Sequence, residues 1–417
     1  MKSICIFEDE EYKQLQPLTY FRPSYHLKCG ILSLHRKIRR NYPNVRMELN
    51  TRDYLRNIIR QNRPDEIVSH VKSEMMLFLN GRILVDDDFH KQIPLDGKDE
   101  LFISKGNFIG ARVSGNNLQK INDSLKDVLS KSDFPELPIK EVDVTIINFP
   151  WDLITYNSQE LVKDFKKLTS DAENHMKEYP GVYFLNPDNI FISKNVKLKP
   201  GVVLDAEEGP IFIGENVLIY SNSEVQGPAF IGENSIIKMG STIYHNTSIG
   251  KVSKVGGEIE NSIIHSYSNK QHHGFLGNSY LGSWVNLGAG TTNSDLKNNY
   301  STIKVRINDK LVDSGKQFVG LTMGDHSKSA INTSFNTGAI VGVSSNVFGG
   351  TFPPRYLPSF SWGGSEALTT YDLDRSIEAA ERVMQRRNVI LTDIDKELFK
   401  TVFNLTVQER RYFGYPK

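Results

Sequence analysis

Two adjacent histidines, His272 and His273, are the residues of this chain best suited to acid–base chemistry. Histidine is the side chain best placed to accept a proton near neutral pH. The pair lies in the polar stretch "SNKQHHG" and not on an apolar strand pattern. This predicts a general base on a loop. The alternative is that the two rings only pack at a subunit seam.

A repeat of six residues surrounds the histidines. Its aliphatic positions are Ile213, Ile219, Val225, Ile231, Ile237, Ile243, Ile249 and Val255. A helix requires a period of 3.6 and a half-buried strand a period of 2, so neither explains the pattern. Glycine recurs every 18 residues, at Gly214, Gly232 and Gly250, and asparagine occupies the third place after several aliphatic residues. Both types tolerate the positive φ of tight corners. The pattern is typical of a left-handed parallel β-helix, in which three hexapeptides form one triangular coil.

The rhythm lapses twice, between Val255 and Leu281 and between Thr291 and Phe318. A lapse in a solenoid predicts a loop that leaves the prism, and such loops commonly carry function. The histidine pair falls in the first lapse, so we expect an outward loop there.

The residues around the histidines resemble a known family. The order Lys-x-His, aromatic-Leu-Gly and Val-Asn-x-Gly-Ala-Gly-Thr is similar to the acetyltransferase half of bifunctional GlmU-type N-acetylglucosamine-1-phosphate uridyltransferases. The resemblance implies that His272, more than His273, is the catalytic base. It also implies that Phe275 and Asn286 contact the amino sugar. Ala289 and the adjacent Gly290 are then the residues that meet acetyl-CoA.

The implied reaction is direct acyl transfer, in which His272 removes a proton from the amine of glucosamine 1-phosphate as that amine attacks acetyl-CoA. The family carries a phosphate-binding lysine twelve residues before the base, and this chain has Glu260 there. The cations available nearby to bind the phosphate instead are Lys254, Lys270, Lys304 and Arg306. Lys328, on a late coil, is expected to touch the phosphates of CoA. Related proteins are homotrimers with acyl-transfer sites between prisms, and we expect the same here.

The flanking regions differ from the repeat. Short apolar runs alternate with amphipathic segments over residues 1–180, which predicts an α/β domain with a largely parallel sheet. The β-helix is expected over residues 181–365. Two amphipathic segments with Asp or Thr at their starts predict a helical tail over residues 366–417 that caps the prism.

The N-terminal region resembles sugar-1-phosphate nucleotidyltransferases, with Pro17, Leu18, Thr19 and Pro23 in family positions. The family's glycine-rich phosphate loop is replaced by "EDEEYKQLQ", which leaves Arg22 and Lys28 as the cations for a nucleotide. Family members hold Mg²⁺ with two aspartates. "FPWDLITYN" supplies Asp152, whereas Arg82 takes the place of the other aspartate, and Asp86, Asp87 and Asp88 are the candidates to complete the site. These substitutions are similar to a divergent, Bacteroidetes-like branch of the family.

Composition limits the function classes. A net charge of +1 gives no general electrostatic reason to expect nucleic acid or an acidic membrane as partner. Two cysteines in 417 residues suit a reducing cytoplasm, and no stretch of 18 apolar residues occurs. The resulting hypothesis is a bifunctional transferase that makes UDP-N-acetylglucosamine or a relative from glucosamine 1-phosphate, acetyl-CoA and UTP or dTTP. The alternatives are an acyltransferase with a binding or regulatory N-terminal domain, and a non-catalytic scaffold.

Overall fold

The computed structural model describes residues 2–64 and 73–415. The chain divides into two compact units. Unit 1 comprises Met1–Leu15, Phe21–Leu27 and Leu32–Phe149, and unit 2 comprises Gln16–Tyr20, Lys28–Ile31 and Pro150–Lys417. Within the described ranges, no helix combines the length and the apolar character that crossing a membrane requires.

Unit 1 is an α/β unit. Its elements are β1 Lys2–Phe7, α1 Leu34–Asn41, β2 Arg46–Leu49, α2 Asp53–Asn62, β3 Met75–Asn80, β4 Ile83–Leu84, α3 Phe89–Gln92, β5 Glu100–Ser104, β6 Asn107–Ser114, α4 Gly115–Asp123, β7 Ile139–Glu141 and β8 Thr145–Ile146. Short 3₁₀ turns cover Glu10–Leu15, Ser24–His26 and Lys131–Asp133.

The main sheet of unit 1 has the order β2-β1-β3-β6-β5-β7 and is mixed. β1 is parallel to β2 and β3, whereas β6 is antiparallel to both of its neighbours. Parallel pairing is therefore limited to β2-β1-β3 and to the edge pair β5-β7. The cause is the tight turn at Lys105 and Gly106, where both residues have positive φ, because a two-residue connection permits only an antiparallel pair.

Unit 2 contains a β-helix between a long helix and a helical tail. Its elements are α5 Pro150–Thr169, β9 Tyr183–Leu185, β10 Ile190–Ile192, β11 Lys197–Leu198, β12 Val203–Asp205, β13 Ile211–Ile213, β14 Leu218–Ile219, β15 Glu224–Gln226, β16 Ala229–Ile231, β17 Ile236–Ile237, β18 Thr242–Ile243, β19 Thr247–Ile249, β20 Lys254–Val255, β21 Glu258–Glu260, β22 Ile263–Ile264, β23 Asn269–Lys270, β24 Phe275–Gly277, β25 Tyr280–Leu281, β26 Asn286–Leu287, β27 Thr292–Asn293, β28 Lys304–Ile307, β29 Lys310–Asp313, β30 Thr322–Met323, β31 Lys328–Ser329, β32 Ser334–Phe335, β33 Ile340–Val341, β34 Asn346–Val347, β35 Tyr356–Leu357, β36 Ser361–Gly363, β37 Leu368–Thr370, α6 Leu373–Gln385, α7 Asp393–Leu405 and α8 Val407–Tyr412. A 3₁₀ turn covers Pro187–Asn189.

Three parallel sheets form the sides of the prism. Face 1 runs β10-β13-β16-β19-β22-β25-β30-β33-β35, face 2 runs β11-β14-β17-β20-β23-β26-β31-β34-β36 and ends on the antiparallel β37, and face 3 runs β9-β12-β15-β18-β21-β24. The eight aliphatic positions from Ile213 to Val255 are all 0% exposed. Asn216, Asn222, Asn234 and Asn246 have φ of 57–59° at the corners. The β-helix prediction is confirmed.

The first lapse in the repeat is not an outward loop, so that expectation was wrong. The coil continues through β20, β21 and β22, and the corner between β20 and β21 is shortened to Gly256–Gly257. The shorter corner breaks the period without releasing the chain from the prism. The second lapse does leave the coil, over residues 294–318, and carries the β28–β29 hairpin.

The two predicted tail helices are confirmed as α6 and α7, and a third, the short α8, was not predicted. Asp372 caps α6 by accepting from the Arg375 N–H, and Thr392 forms a capping box with Asp395 at the start of α7. The tail packs along the last coils, where Ser376 and Arg410 bond to Ser344 and to the Ser359 carbonyl.

Candidate active site

The two histidines lie at a corner of the prism, residues 271–274, between β23 and β24. Both side chains are exposed. We call the series of corners that join face 2 to face 3, residues 238–241, 256–257, 271–274, 288–291 and 330–333, the histidine edge. The predicted base is therefore exposed to solvent at a corner of the prism and not on a loop that leaves the prism.

Lys270 holds this corner from inside the prism. Its Nζ donates to the carbonyl oxygens of His272 (2.8 Å) and Gly256 (3.1 Å). Lys270 pairs with Val255 in register and takes an inward position, where it is 1% exposed. Burial lowers the pKa of its ammonium to about 8, and Glu258 opposes that shift. These contacts do not agree with the prediction that Lys270 binds a substrate phosphate, because the ammonium faces backbone carbonyls.

Glycine corners lie on both sides of the histidine corner. Gly257 has φ +78°, and a Cβ added there would lie 2.6 Å from the His272 carbonyl oxygen. On the other side, a Cβ on Gly274 would lie 2.1 Å from the Thr291 carbonyl oxygen. The Gly290 N–H donates to the His273 carbonyl at 3.2 Å. The backbone of His272 is thus fixed between neighbouring coils.

The other residues implied by the resemblance surround this corner. Asn286 is half-buried on face 2, where it pairs in register with Asn269 on one side and Lys328 on the other. Phe275 is half-buried on face 3, and its ring occupies the space that a side chain at Gly277 would need. Ala289 is half-buried on the histidine edge and accepts a hydrogen bond from the Asn332 N–H.

Face 3 beside the histidine corner carries carboxylates. Glu258 pairs in register with Phe275, and Glu260 pairs with Gly277. Asp295 accepts a hydrogen bond from the Asn278 side chain at 2.8 Å. The position at which the family places a phosphate-binding lysine is therefore acidic.

The remaining predicted cations of unit 2 lie elsewhere. The Lys328 ammonium donates to the His326 carbonyl at 3.0 Å, and burial lowers its pKa to about 8. Lys304 is exposed on β28, and Arg306 on the same strand lies 5.1–5.8 Å from the ring centroids of Tyr356, Tyr412 and Phe413. The aromatic contacts anchor the hairpin to the tail. Lys328 and Lys304 remain predicted ligands.

In unit 1, two buried ion pairs occupy the segment that replaces the glycine-rich loop. Glu8 accepts from Arg52 at 3.1 Å through both carboxylate oxygens, and also from the Ser24 N–H. Asp9 and Arg82 form a bidentate pair at 2.6 and 2.7 Å. The guanidinium that stands in the predicted metal position is therefore already neutralised by a carboxylate.

The other N-terminal predictions divide between the units. Arg22 belongs to unit 1 and is half-buried, whereas Thr19 and Lys28 belong to unit 2. The Lys28 ammonium lies 5.5 Å from the Phe230 ring centroid of face 1. Asp152, in the first turn of α5, is half-buried in unit 2.

The described residues do not fit a magnesium site of the predicted kind. Within residues 2–64 and 73–415, no group of three or more His, Cys, Asp or Glu side chains is placed to hold a metal ion. Arg82 stands where the family has an aspartate and holds both oxygens of the Asp9 carboxylate, so neither side chain offers a ligand to a cation. Asp152 as a metal ligand stays a prediction.

Sequence reasoning missed the structural role of Gly256–Gly257 and the inward position of Lys270. The available signal was the six-residue repeat itself: one step from Ile264 reaches Lys270, which the structure pairs in register with the inward Val255.

Comparison with known proteins supports the resemblance to GlmU-type proteins. Residues 4–173 match the sugar nucleotidyl transferase family model. The chain is 28% identical to a bifunctional sugar-1-phosphate nucleotidylyltransferase/acetyltransferase from Sulfurisphaera tokodaii over 57% of its length and 55% of that protein. It is 31% identical to a bifunctional protein GlmU from Methanococcus maripaludis over 56% of its length and 54% of that protein.

The chain spans about half the length of these curated relatives. Among solved structures, a UDP-N-acetylglucosamine acyltransferase from Campylobacter jejuni aligns at 14% identity with a TM-score of 0.31, covering 58% of this chain and 86% of that one.

Proposed function

For a chain that resembles GlmU-type proteins along about half of their length, we propose acetyl transfer from acetyl-CoA to the amine of an amino sugar 1-phosphate, with His272 as the base. The observation that carries the proposal is an exposed imidazole on a corner fixed by Lys270 and by Gly257. A base held in place lowers the entropic cost of reaching the reactive geometry. Glucosamine 1-phosphate is the simplest acceptor.

The amine nitrogen attacks the thioester carbonyl carbon while the His272 ring takes one amine proton. The new C–N bond forms, the C–S bond breaks, and the proton passes to the departing CoA thiolate. Asn286 orients the sugar, Phe275 packs against it, and the backbone N–H of Ala289 stabilises the oxyanion.

Nucleotidyl transfer is the second proposed activity, and the family match over residues 4–173 supports it. The phosphate of the acetylated sugar would attack the α-phosphorus of UTP or dTTP and release pyrophosphate. Arg22 of unit 1 is the proposed ligand of the nucleotide, and Thr19 and Lys28 stay predictions from the sequence. Mg²⁺ would supply charge neutralisation in such a reaction, but the described residues do not fit a Mg²⁺ site.

A second candidate function is acyl transfer alone, with unit 1 binding or regulating. The Asp9–Arg82 and Glu8–Arg52 pairs favour it, because these side chains bond to each other in the segment that replaces the family's phosphate loop.

We include a homotrimer and a cytoplasmic location in the proposal. Two large apolar side chains lie on the histidine edge, each two corners away from the histidine corner on opposite sides: Met239 at 67% exposure and Ile331 at 69%. Exposed apolar groups beside a polar site are typical of an interface. A neighbouring prism there would complete the acetyl-CoA cleft.

The first test is release of free thiol from acetyl-CoA in the presence of glucosamine 1-phosphate. His272→Ala is expected to lower kcat by about 10²–10⁴-fold, the usual contribution of a general base. His273→Ala is the matched control, because the neighbouring ring is exposed at the same corner. Equal losses in both variants, or none in either, would contradict the assignment.

The second test separates the two candidate functions. Pyrophosphate release from UTP or dTTP with N-acetylglucosamine 1-phosphate is expected from the bifunctional protein. Acyl transfer without pyrophosphate release, at saturating nucleotide and Mg²⁺, establishes the acyltransferase-only alternative.

A further inference from the structure

Four cationic side chains meet where the end of α6 reaches face 2. Lys238 and Lys254 come from neighbouring coils, and Arg386 and Arg387 follow α6 directly. The Arg387 guanidinium donates to the Asn269 side chain at 2.7 Å, and Asn269 pairs in register with Lys254. The Lys238 ammonium lies 5.4 Å from the centroid of the Tyr220 ring.

The positive charge of this cluster is not balanced. None of its four side chains forms an ion pair with a carboxylate among the residues that the structure describes. Burial lowers the pKa of Lys254, and Arg387, Lys238 and Arg386 lower it further. Like charges at close range repel, so the folded chain keeps them together at a cost.

The end of a helix explains part of the cluster. The C-terminal carbonyls of α6 attract cations, which accounts for Arg386 and Arg387. It does not account for Lys238 and Lys254, which belong to strands and corners of the prism.

We propose that Lys254 and Arg387, with Lys238 beside them, bind the phosphate ester of a substrate. Asn269 holds the guanidinium toward the site, and Arg386 adds charge at its exposed side. Arginine and lysine are the side chains that bind phosphate oxygens most strongly.

The position fits the acceptor of the proposed acyl transfer, on which this inference rests. Lys254, Asn269 and Asn286 are successive residues across face 2. Two strand spacings, about 10 Å in all, therefore separate Lys254 from the residue proposed to orient the amino sugar. The cluster would supply the charge that Glu260 does not. The phosphates of acyl-CoA have the same chemistry, so acyl-CoA is the other substrate whose phosphate the cluster would bind.

The test compares Lys254→Met and Arg387→Met with Arg382→Met, which removes a charge on α6 that is already paired with Glu378. Each of the first two is expected to raise KM for glucosamine 1-phosphate by about tenfold with kcat unchanged. KM for unphosphorylated glucosamine should not change. A rise in KM for acetyl-CoA instead assigns the phosphate to that substrate. Effects no larger than that of Arg382→Met would overturn the site.

A binding measurement keeps this test independent of turnover. Titration of the full-length protein with inorganic phosphate, followed by calorimetry, should give a site that weakens about tenfold in Lys254→Met and Arg387→Met. If acyl transfer is absent but this site is present, only the proposed function fails. If the wild-type protein and both variants bind phosphate equally, the inference fails whatever the activity.

Discussion

Lys270 lies inside the prism and holds the backbone of the histidine corner in place. An ammonium in the inward column of a β-helix replaces an aliphatic side chain, and it is tolerated because two backbone carbonyls accept its protons. The cost of burying the charge appears as the lowered pKa of about 8.

This pKa predicts how stability depends on pH. Between about pH 8 and pH 10.5 the unfolded chain keeps the Lys270 proton and the folded chain releases it, so stability rises with pH across this window. Below pH 8 both states bind the proton and the full penalty remains. We expect wild-type protein to gain about 2–3 kcal/mol between pH 8 and pH 10.5 relative to Lys270→Met.

Urea unfolding at several pH values measures this gain. Lys251→Met, which removes an exposed lysine paired with Glu233, is the control and should keep the wild-type slope. An identical slope in Lys270→Met and wild type would show that the ammonium is not the group that titrates.

The buried Asp9–Arg82 pair gives a second prediction at this scale. Arg82→Leu would leave the Asp9 carboxylate, 6% exposed, without its cation, and is expected to cost about 3–5 kcal/mol. Arg382→Leu breaks an exposed pair and should cost less than about 1 kcal/mol. Thermal or urea unfolding measures the loss of stability in each variant. Similar losses in the two variants would show that burial does not make the Asp9–Arg82 pair more important than an exposed pair.

At the scale of elements, the shortened corner Gly256–Gly257 decides where the histidine corner lies. Gly257→Ala combines a positive φ with a Cβ that would lie 2.6 Å from the His272 carbonyl. Gly240→Ala has a similar φ of +67° on the preceding corner but no atom within 4 Å. Comparison of these two variants therefore separates the effect of backbone strain from the effect of displacing His272.

We expect both variants to lose about 1 kcal/mol from the left-handed backbone conformation. Only Gly257→Ala should also lower kcat for acyl transfer, by about tenfold or more, because it moves the base. Unfolding curves and thiol release measure the two effects. Equal kcat in the two variants would show that this corner does not position His272.

These elements also show what the sequence could predict. The six-residue rhythm from Ile213 to Val255 was enough for the β-helix, since only one fold places every sixth residue inside. The same repeat led to the wrong prediction of an outward loop near Gly256–Gly257. A shortened corner and an inserted loop interrupt the six-residue period in the same way, so the sequence does not distinguish them. Lys270 was misplaced for a different reason: lysine is usually a surface residue, although its position six residues after Ile264 indicates an inward side chain. The Asp9–Arg82 pair depends on strands β1 and β3 being neighbours, which no local pattern reveals.

For the whole molecule, the trimer proposal makes the histidine edge an interface. Ile331→Asp places a charge on a side chain that is 69% exposed in one chain, so a single chain should lose little stability. A neighbouring prism at this edge would bury the charge, and the assembly should weaken by about tenfold or more.

Sedimentation equilibrium of the variant and the wild type measures this change. Ile390→Asp is the control. Ile390 lies in the tail and is 79% exposed, and its substitution should leave the assembly unchanged. A monomeric wild-type protein would refute the proposed cleft between prisms.

Unit 2 is assembled from three separate stretches of chain. Gln16–Tyr20 and Lys28–Ile31 belong with the prism, and the Gly30 and Ile31 N–H groups bond to Asn157 and Asp164 of α5. No single cut in the sequence separates unit 2 intact from unit 1, because Gln16–Tyr20 and Lys28–Ile31 of unit 2 precede most of unit 1 in the chain. A truncation that begins at Pro150 would therefore remove part of unit 2 together with unit 1.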